Sequence, residues 1–318
     1  MAYSAEDYPL SSSCSVDCAA SILLDHITSI TMEWIVSQGH SAGSVIRIGI
    51  KCSVDVEGGA SISSSFLSQL SRNALVQPDT ERVLFVSRIG DVGVLGYGCC
   101  IRADSIHSVR ALSAVMCDEI LMVGGDSFTK EEDTKCRGWL VPAVEVRTGS
   151  SSLSSSSQSP TDQCELDWPH ATLALNILIP HSNDLTALQL QLSTIKVLLT
   201  NVQWDFRCSM NNLCEVPPLV GEVKHTGMSE AEYTAAVERS MRDMAAGDLK
   251  KVVFALRKTG ITQCAINPAA LLLAVANGNR SDDGKRYTFL FAPQGLREDV
   301  FLSLSPEQVI FAFHNTDL

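Results

Sequence analysis

Two residues in the carboxy-terminal third of the chain could act as a base and an acid. Lys251 opens an apolar, β-branched run, and Glu307 lies at what we expect to be a tight corner between two strands. A lysine, with an ordinary pKa of about 10.4, becomes a base only where burial or a nearby cation favours its neutral form. A glutamate becomes an acid only where its surroundings keep it protonated. On the residues alone, Lys251 could equally be an edge-strand lysine with its ammonium group in water, and Glu307 a carboxylate that caps a turn.

Two other motifs do not match the cofactor and metal sites that they superficially suggest. The segment Gly93-Val94-Leu95-Gly96-Tyr97-Gly98 has its glycines in the reverse order of the dinucleotide fingerprint and leads into Cys99-Cys100-Ile101. It therefore predicts a bulged or bent strand. The segment Asp282-Asp283-Gly284-Lys285 lacks the spacing of a calcium loop or a P-loop, and it predicts a turn.

The cysteines indicate a reducing environment. There are 11 of them, with no Cys-x-x-Cys pair and no His/Cys cluster at zinc-finger spacing. Three residues separate Cys14 from Cys18, and Cys99 is adjacent to Cys100. We interpret these side chains as mostly buried, reduced thiols in a reducing compartment.

The composition argues against two classes of partner. The net charge of −12 does not suit a nucleic-acid partner, because phosphate backbones are bound by clustered Lys and Arg. A small dianion can still bind where a few basic groups converge, so the site, rather than the whole protein, must be basic. The apolar runs are far shorter than the roughly 20 residues that a membrane span needs. The first residues are acidic and lack Lys and Arg, so neither a signal peptide nor a transit peptide is expected.

The elements that position the candidate residues alternate between strands and helices. Before Gly149 we expect strands at Ser44–Val54 and Arg82–Val86 and a helix at Ser61–Leu75. A serine-rich stretch follows and predicts a flexible loop, and the main break comes at Val216-Pro217-Pro218 to Gly227, after a helical pattern from 185 to 202. The predicted regions are an amino-terminal region 1–148, a loop 149–163, a continuation 164–225 and a carboxy-terminal domain 226–318.

The last region has the clearest local signals. Ser229 and Glu232 form a capping box, and the helix that it opens carries an apolar stripe and ends at Gly247. The run from Lys251 then predicts a buried strand. A second helix begins at Asn267-Pro268 and ends at Gly278. Further strands are expected at 287–291, 300–304 and 309–313.

The motif order G-x-L-x-K-V-V-x-A, a helix, Y-x-F and F-x-x-x-S-P-E resembles the opening of the chorismate-binding domain shared by isochorismate, anthranilate and aminodeoxychorismate synthases. The lysine in the first motif favours the isochorismate synthase branch. Upstream segments resemble the amino-terminal half of the menaquinone-type enzyme; they are Glu33–Gln38, Gly124–Phe128, Leu140–Glu145 and Thr172–Asn176.

This resemblance implies an α+β fold of the anthranilate synthase/isochorismate synthase type, with layered sheets and helices. It implies conversion of chorismate to isochorismate for menaquinone or phylloquinone biosynthesis, an isomerase reaction. Lys251 would activate water and Glu307 would protonate the departing hydroxyl, while Mg²⁺ would hold a substrate carboxylate. The chain departs from the family at Ser303, where glycine is common, and at Leu256, where arginine is common.

The later family segments, which carry the metal ligands and the contacts to the substrate carboxylates, have no counterpart before Leu318. We therefore expect a fold whose carboxy-terminal part is missing, unknown metal ligands, and a downstream domain or partner chain that completes the fold. Two alternatives follow. One is a non-catalytic interaction module of a quinone-biosynthesis multienzyme protein, similar to the isochorismate-synthase-like module of the plant and algal phylloquinone-biosynthesis polypeptide, which would place it in a plastid. The other is a different chorismate-using synthase, of the anthranilate or salicylate type.

Overall fold

The structure is a computed structural model of the 318-residue chain. The structure describes residues 14–37, 41–54, 62–74, 79–87, 92–113, 120–125, 138–149, 170–180, 184–206, 219–226, 229–252, 257–262, 265–278, 287–296 and 299–305.

The described residues form helices and strands in two compact units, Met1–Cys214 with Asn267–Leu318, and Glu215–Ile266. The four regions predicted from the sequence stay predictions. The helices are α1 (Val16–Ile27), α2 (Met32–Ser37), α3 (Ile62–Arg72), α4 (Ile106–Ser113), α5 (Leu185–Asn201), α6 (Glu230–Ala246) and α7 (Pro268–Gly278). The strands are β1 (Val45–Ser53), β2 (Arg82–Val86), β3 (Gly93–Ala103), β4 (Val123–Gly125), β5 (Gly138–Thr148), β6 (His170–Leu178), β7 (Leu219–Thr226), β8 (Arg257–Thr262), β9 (Tyr287–Ala292) and β10 (Phe301–Ser305).

The first unit is built on one eight-stranded sheet. Its strands run in the order β1-β6-β5-β3-β2-β9-β10, and β4 pairs with β5 outside this path. Every pair of named strands in it is antiparallel. The two carboxy-terminal strands β9 and β10 thus complete a sheet that residues 45–178 begin, and the strands predicted at 44–54, 82–86, 287–291 and 300–304 are confirmed.

The glycine-rich segment is a bulged strand, as predicted. In β3 the register with β5 shifts between Cys99 and Ile101, and Gly98 just before the shift has a φ of 67°, which favours glycine. A Cβ on Gly96 would lie 2.5 Å from Cγ of Pro142, so only glycine lets β3 and β5 approach this closely. The packing of β3 against β5 therefore explains these glycines, and no dinucleotide-binding motif is needed to account for them.

Helices α1, α3, α5 and α7 contribute to the main core of the first unit. Fully buried side chains on α1, α3 and α7, including Leu23, Phe66 and Ala269, belong to one cluster with residues of the sheet. The ring of Phe66 packs against that of Phe206, with centroids 5.4 Å apart. Asn267 caps α7 as predicted, because its Oδ1 accepts hydrogen bonds from the backbone N–H groups of Ala269 and Ala270.

The second unit consists of the two-stranded sheet β7-β8 and helix α6. The predicted capping box is present, since the hydroxyl of Ser229 accepts from the backbone N–H of Glu232 and the Glu232 carboxylate accepts from that of Ser229. None of the α6 side chains is buried, so the expected apolar stripe is not covered within the described residues. Across the described part of the chain, no helix is long and apolar enough to cross a membrane.

Candidate functional site

Lys251 lies just beyond the end of α6. The helix ends at Gly247 with a φ of 85°, and the backbone N–H of Asp248 donates to the Asp243 carbonyl at 2.9 Å. This hydrogen bond turns the chain out of the helix before the irregular segment that carries Lys251. Lys251 is exposed, and Val252 is half-buried.

The prediction that Lys251 opens a strand is wrong. Residues 250–252 are irregular, and β8 begins at Arg257; residues 253–256 lie outside the described residues. The partner strand decides where β8 lies, because β7 is in register with residues 257–262. An apolar, β-branched run shows only that a segment suits a strand, whereas the hydrogen-bonded partner sets its start.

The paired strands β7 and β8 bring basic residues into neighbouring register positions. His225 is opposite Lys258, Thr226 is opposite Arg257, and Lys224 precedes this pair on β7. The basic residues among them and the exposed Lys251 belong to a chain with a net charge of −12. A dianionic ligand would require basic groups that converge locally.

Glu307 lies outside the described residues, just after β10. That strand pairs with β9 from Phe301, opposite Phe291, to Ser305, opposite Tyr287. In the described part of the sheet β10 is the edge strand, and Phe301 is 49% exposed. Because Lys251 belongs to the second unit and Glu307 to the first, their joint role stays a prediction.

The described residues contain no cluster of metal-ligating side chains. No group of three or more His, Cys, Asp or Glu side chains comes together within them in a way that could hold a metal ion. Magnesium needs oxygen ligands in octahedral geometry, usually one or two carboxylates together with substrate and water. The metal ligands stay unassigned.

A buried ionic network in the large sheet was missed in the sequence. The carboxylate of Glu145 lies 2.5 Å from Nη1 of Arg47 and 2.9 Å from Nη2 of Arg147, and both Glu145 and Arg47 are buried. Asn176 links them, because its Oδ1 accepts from Nη1 of Arg47 at 3.2 Å and its Nδ2 donates to Oε2 of Glu145 at 3.4 Å, as well as to the Pro142 carbonyl. The signal for this network in the sequence was a charged or amide residue within an otherwise apolar strand, as in Leu140–Glu145 and Thr172–Asn176. This signal does not reveal which residue is the partner.

Comparison with solved structures shows the fold. The chain resembles a structure described as that of MenF, the menaquinone-specific isochorismate synthase from Escherichia coli, with a TM-score of 0.59 and 20% sequence identity. The similarity covers 92% of this chain and 55% of that one, so the chain spans about half the length of its structural neighbour. No protein-family model and no curated protein sequence matches the chain. The predicted α+β fold of the isochorismate synthase type is confirmed.

Proposed function

We propose that the chain is an isochorismate-synthase-like protein that acts on chorismate in menaquinone or phylloquinone biosynthesis. The observation that carries this proposal is the structural similarity to a menaquinone-specific isochorismate synthase over 92% of the chain. The motifs after Gly227 support it independently, because Lys251 and Glu307 stand in the order expected of the chorismate-binding domain.

Lys251 is the proposed base that activates water for attack at C2 of chorismate. A lysine takes a proton from water only when its neutral form is favoured by burial or by neighbouring cations. Arg257 and Lys258 begin β8, a few residues after Lys251 in the sequence. Basic residues near the site would attract the two substrate carboxylates. Because Lys251 is exposed in the free chain, bound substrate would have to exclude water from it.

Glu307 is the proposed acid that protonates the C4 oxygen as it leaves. Water adds at C2 and the C4 hydroxyl departs as water, so the reaction consumes one proton at C4 and releases one at C2. A carboxyl group serves at C4 only if it is protonated when the substrate is bound. Magnesium, implied by the resemblance, would supply charge to hold a substrate carboxylate, and we assign it no ligand in this chain.

A non-catalytic interaction module of a quinone-biosynthesis protein is the second candidate function. Helix α6 favours it, because Tyr233, Met241 and Met244 are 40%, 62% and 38% exposed and none of the α6 side chains is buried. An exposed apolar stripe of this kind marks a binding surface in many proteins. A third candidate is an anthranilate- or salicylate-type synthase, whose reaction differs from that of isochorismate synthase in the nucleophile or in the later steps. Lys251 favours water as the nucleophile.

The test is the product formed from chorismate. The purified chain is incubated with chorismate and Mg²⁺, and isochorismate is measured by coupling to an isochorismatase. We expect turnover that falls at least tenfold in Lys251→Ala and in Glu307→Gln, while the matched control Lys250→Ala keeps most of it. Added ammonium separates the anthranilate-type reaction, and direct fluorescence detection separates salicylate formation.

Two outcomes would contradict the proposal. If a folded chain binds chorismate but forms no isochorismate, the non-catalytic module is the better account. If Lys250→Ala and Lys251→Ala lose activity to the same extent, the lysines supply general positive charge and Lys251 is not the base. Loss of turnover on removing Mg²⁺ with a chelator, with recovery on adding it back, would support the metal requirement.

A further inference from the structure

Helix α5 presents an almost uncharged surface to solvent. Only Lys196 is charged among its 17 residues, whereas α6, also of 17 residues, contains six charged residues. Leu190 on α5 is 68% exposed and Val197 is 39% exposed, and no other large apolar side chain in the described residues is as exposed as Leu190. A surface helix normally turns charged and polar residues toward water. The outer face of α5 is therefore unusual in a chain with a net charge of −12.

The exposed residues of α5 follow the spacing of a contact line between two helices. Thr186, Leu190, Ser193, Val197 and Thr200 are all exposed, and they follow one another at intervals of four, three, four and three residues. This spacing aligns side chains along one side of a helix, as at the contact positions of paired helices. We call these five residues the α5 seam. The seam contains no charged residue.

The opposite side of α5 is anchored to the first unit. Leu188 and Ile195 are buried in its main core, and Asp184 caps the helix by accepting hydrogen bonds from two backbone N–H groups of the first turn. Gln191 ties α5 to β6, because its Nε2 donates to the Leu178 carbonyl at 3.0 Å and its Oε1 accepts from the Leu178 N–H at 3.1 Å. The seam is thus presented by a fixed helix, so little backbone ordering would oppose its burial.

Hydroxyl groups on this face retain hydrogen bonds when water is removed. The Thr200 hydroxyl donates to the Lys196 carbonyl at 2.8 Å, and the hydroxyl of Thr194, beside the seam, donates to the Leu190 carbonyl at 3.0 Å. A buried hydroxyl is costly only where it lacks a partner. Leu190 and Val197 gain free energy from being removed from water. Covering the seam should therefore be favourable.

The seam is self-complementary. It has a small residue at its centre, Ser193, an apolar residue on each side and a threonine at each end. A two-fold axis through Ser193 would turn a second copy of the helix antiparallel to the first, with Leu190 beside Val197 of the second copy and Thr186 beside its Thr200. The two Ser193 side chains would meet at the centre, where their small size allows close approach. Because the seam is uncharged, no like charges would be brought together in this acidic chain.

We propose that the α5 seam is a self-association surface through which two copies of the chain form an antiparallel helix pair. This interaction goes beyond the proposed reaction, because neither Lys251 nor Glu307 belongs to α5. The helix is about 25 Å long, and a single helix pair lies at the small end of protein interfaces. The dimer should therefore be reversible and depend on protein concentration.

Analytical ultracentrifugation of the full chain from low micromolar to millimolar concentration tests the association. We expect the wild-type chain to shift from monomer to dimer across this series. Leu190→Glu and Val197→Glu should each raise the dissociation constant at least tenfold, because the pair would bury two carboxylates without partners. Met241→Glu is the matched control, since it changes a similarly exposed apolar residue on α6 and should leave the dimer unchanged. Circular dichroism and thermal unfolding check that each variant is folded.

Cysteine cross-linking tests the antiparallel arrangement. The two-fold axis brings residue 193 of one copy against residue 193 of the other, whereas the two copies of residue 186 would lie roughly 21 Å apart along the helix pair. After mild oxidation, Ser193→Cys should give several-fold more covalent dimer on a non-reducing gel than Thr186→Cys. The wild-type chain, oxidised in parallel, measures the background from the native cysteines.

Three results would overturn the proposal. The first is a folded wild-type chain that stays monomeric throughout the concentration series. The second is a dimer that Met241→Glu dissociates and Leu190→Glu leaves intact, which would assign the interface to α6. The third is equal cross-linking of Ser193→Cys and Thr186→Cys, which would exclude an antiparallel pair centred on Ser193.

Discussion

The two compact units differ in how their sequences define structure. The first unit has a continuous core in which helices pack on an eight-stranded sheet, with side chains such as Phe66 fully buried. The second unit has two paired strands and a helix that buries none of its side chains, and its helix depends on local signals at both ends, the capping box and Gly247. A two-stranded sheet alone is marginally stable in water. The proposed base Lys251 therefore lies in the unit that is less firmly defined by packing.

Truncating a core side chain should have the largest effect. Phe66→Ala removes a fully buried ring that packs against Phe206, and we expect the free energy of unfolding to fall by about 3–5 kcal/mol. Met241→Ala, at a position on α6 that is 62% exposed, should change it by less than about 0.5 kcal/mol. Urea unfolding measures both. Equal losses would mean that α6 is packed as firmly as the core and would remove the contrast between the units.

Breaking the buried ionic network should have the second largest effect on stability. Glu145→Gln leaves the buried guanidinium of Arg47 without its carboxylate, and we expect a loss of roughly 3 kcal/mol. The matched control is Glu81→Gln, which breaks a more exposed ion pair with Arg102 at 3.1 Å and should cost less than about 1 kcal/mol. Thermal unfolding compares the two. A cost for Glu145→Gln no larger than the control would show that the network adds little to the first unit.

Removing the helix cap should have a smaller and more local effect. Ser229→Ala takes away the hydroxyl that accepts from the Glu232 N–H, and we expect α6 to lose about 1 kcal/mol of stability. Ser240→Ala is the control within the same helix, because its hydroxyl only bonds back to the Ala236 carbonyl. Amide hydrogen exchange should accelerate in α6 for the first variant and stay nearly unchanged for the second. Unchanged exchange in both would mean that α6 is held by packing after all.

Acid should weaken the same helix slightly. Hydrogen bonds from the backbone N–H and then the hydroxyl of Ser229 lower the pKa of Glu232 in the folded chain. The stability that the Glu232 carboxylate adds to α6 is therefore fully present above the ordinary glutamate pKa of about 4.3. It is lost as the pH falls through the lower pKa of Glu232 in the folded chain. Glu232→Gln keeps an accepting oxygen without the charge, so its α6 helicity should depend less on pH between neutral and acid conditions. Identical pH profiles by circular dichroism would show that the carboxylate contributes nothing.

Local sequence signals predicted the helices, caps and turns well. Features that depend on residues far apart in the sequence, such as the start of a strand or a buried ion pair, could not be predicted from them. The bulge near Gly98, the capping box at Ser229 and the cap at Asn267 each depend on residues a few positions apart, and the structure confirms them. The start of β8 at Arg257 depends on pairing with β7, and the apolar run after Lys251 contained no information about that partner. The bond between Arg47 and Glu145 joins residues on separate strands that only the completed sheet brings together.

The candidate site was predicted less completely than the fold. The motifs indicated Lys251 and Glu307, and the structure places Lys251 on an exposed segment after α6. Their separation along the chain and their assignment to different units mean that no local pattern could establish their geometry. The basic residues of β7 and β8 come together only through strand register, which a linear motif does not report.

The most direct test of the proposed function follows the oxygen atom. The chain is incubated with chorismate, Mg²⁺ and isotopically labelled water, and the product is analysed by mass spectrometry with the position of the label determined by NMR. Our account predicts isochorismate with one labelled oxygen, on C2, formed by the wild-type chain and lost in Lys251→Ala. Two results would contradict it: isochorismate that carries no label, or no isochorismate from a folded chain that binds chorismate.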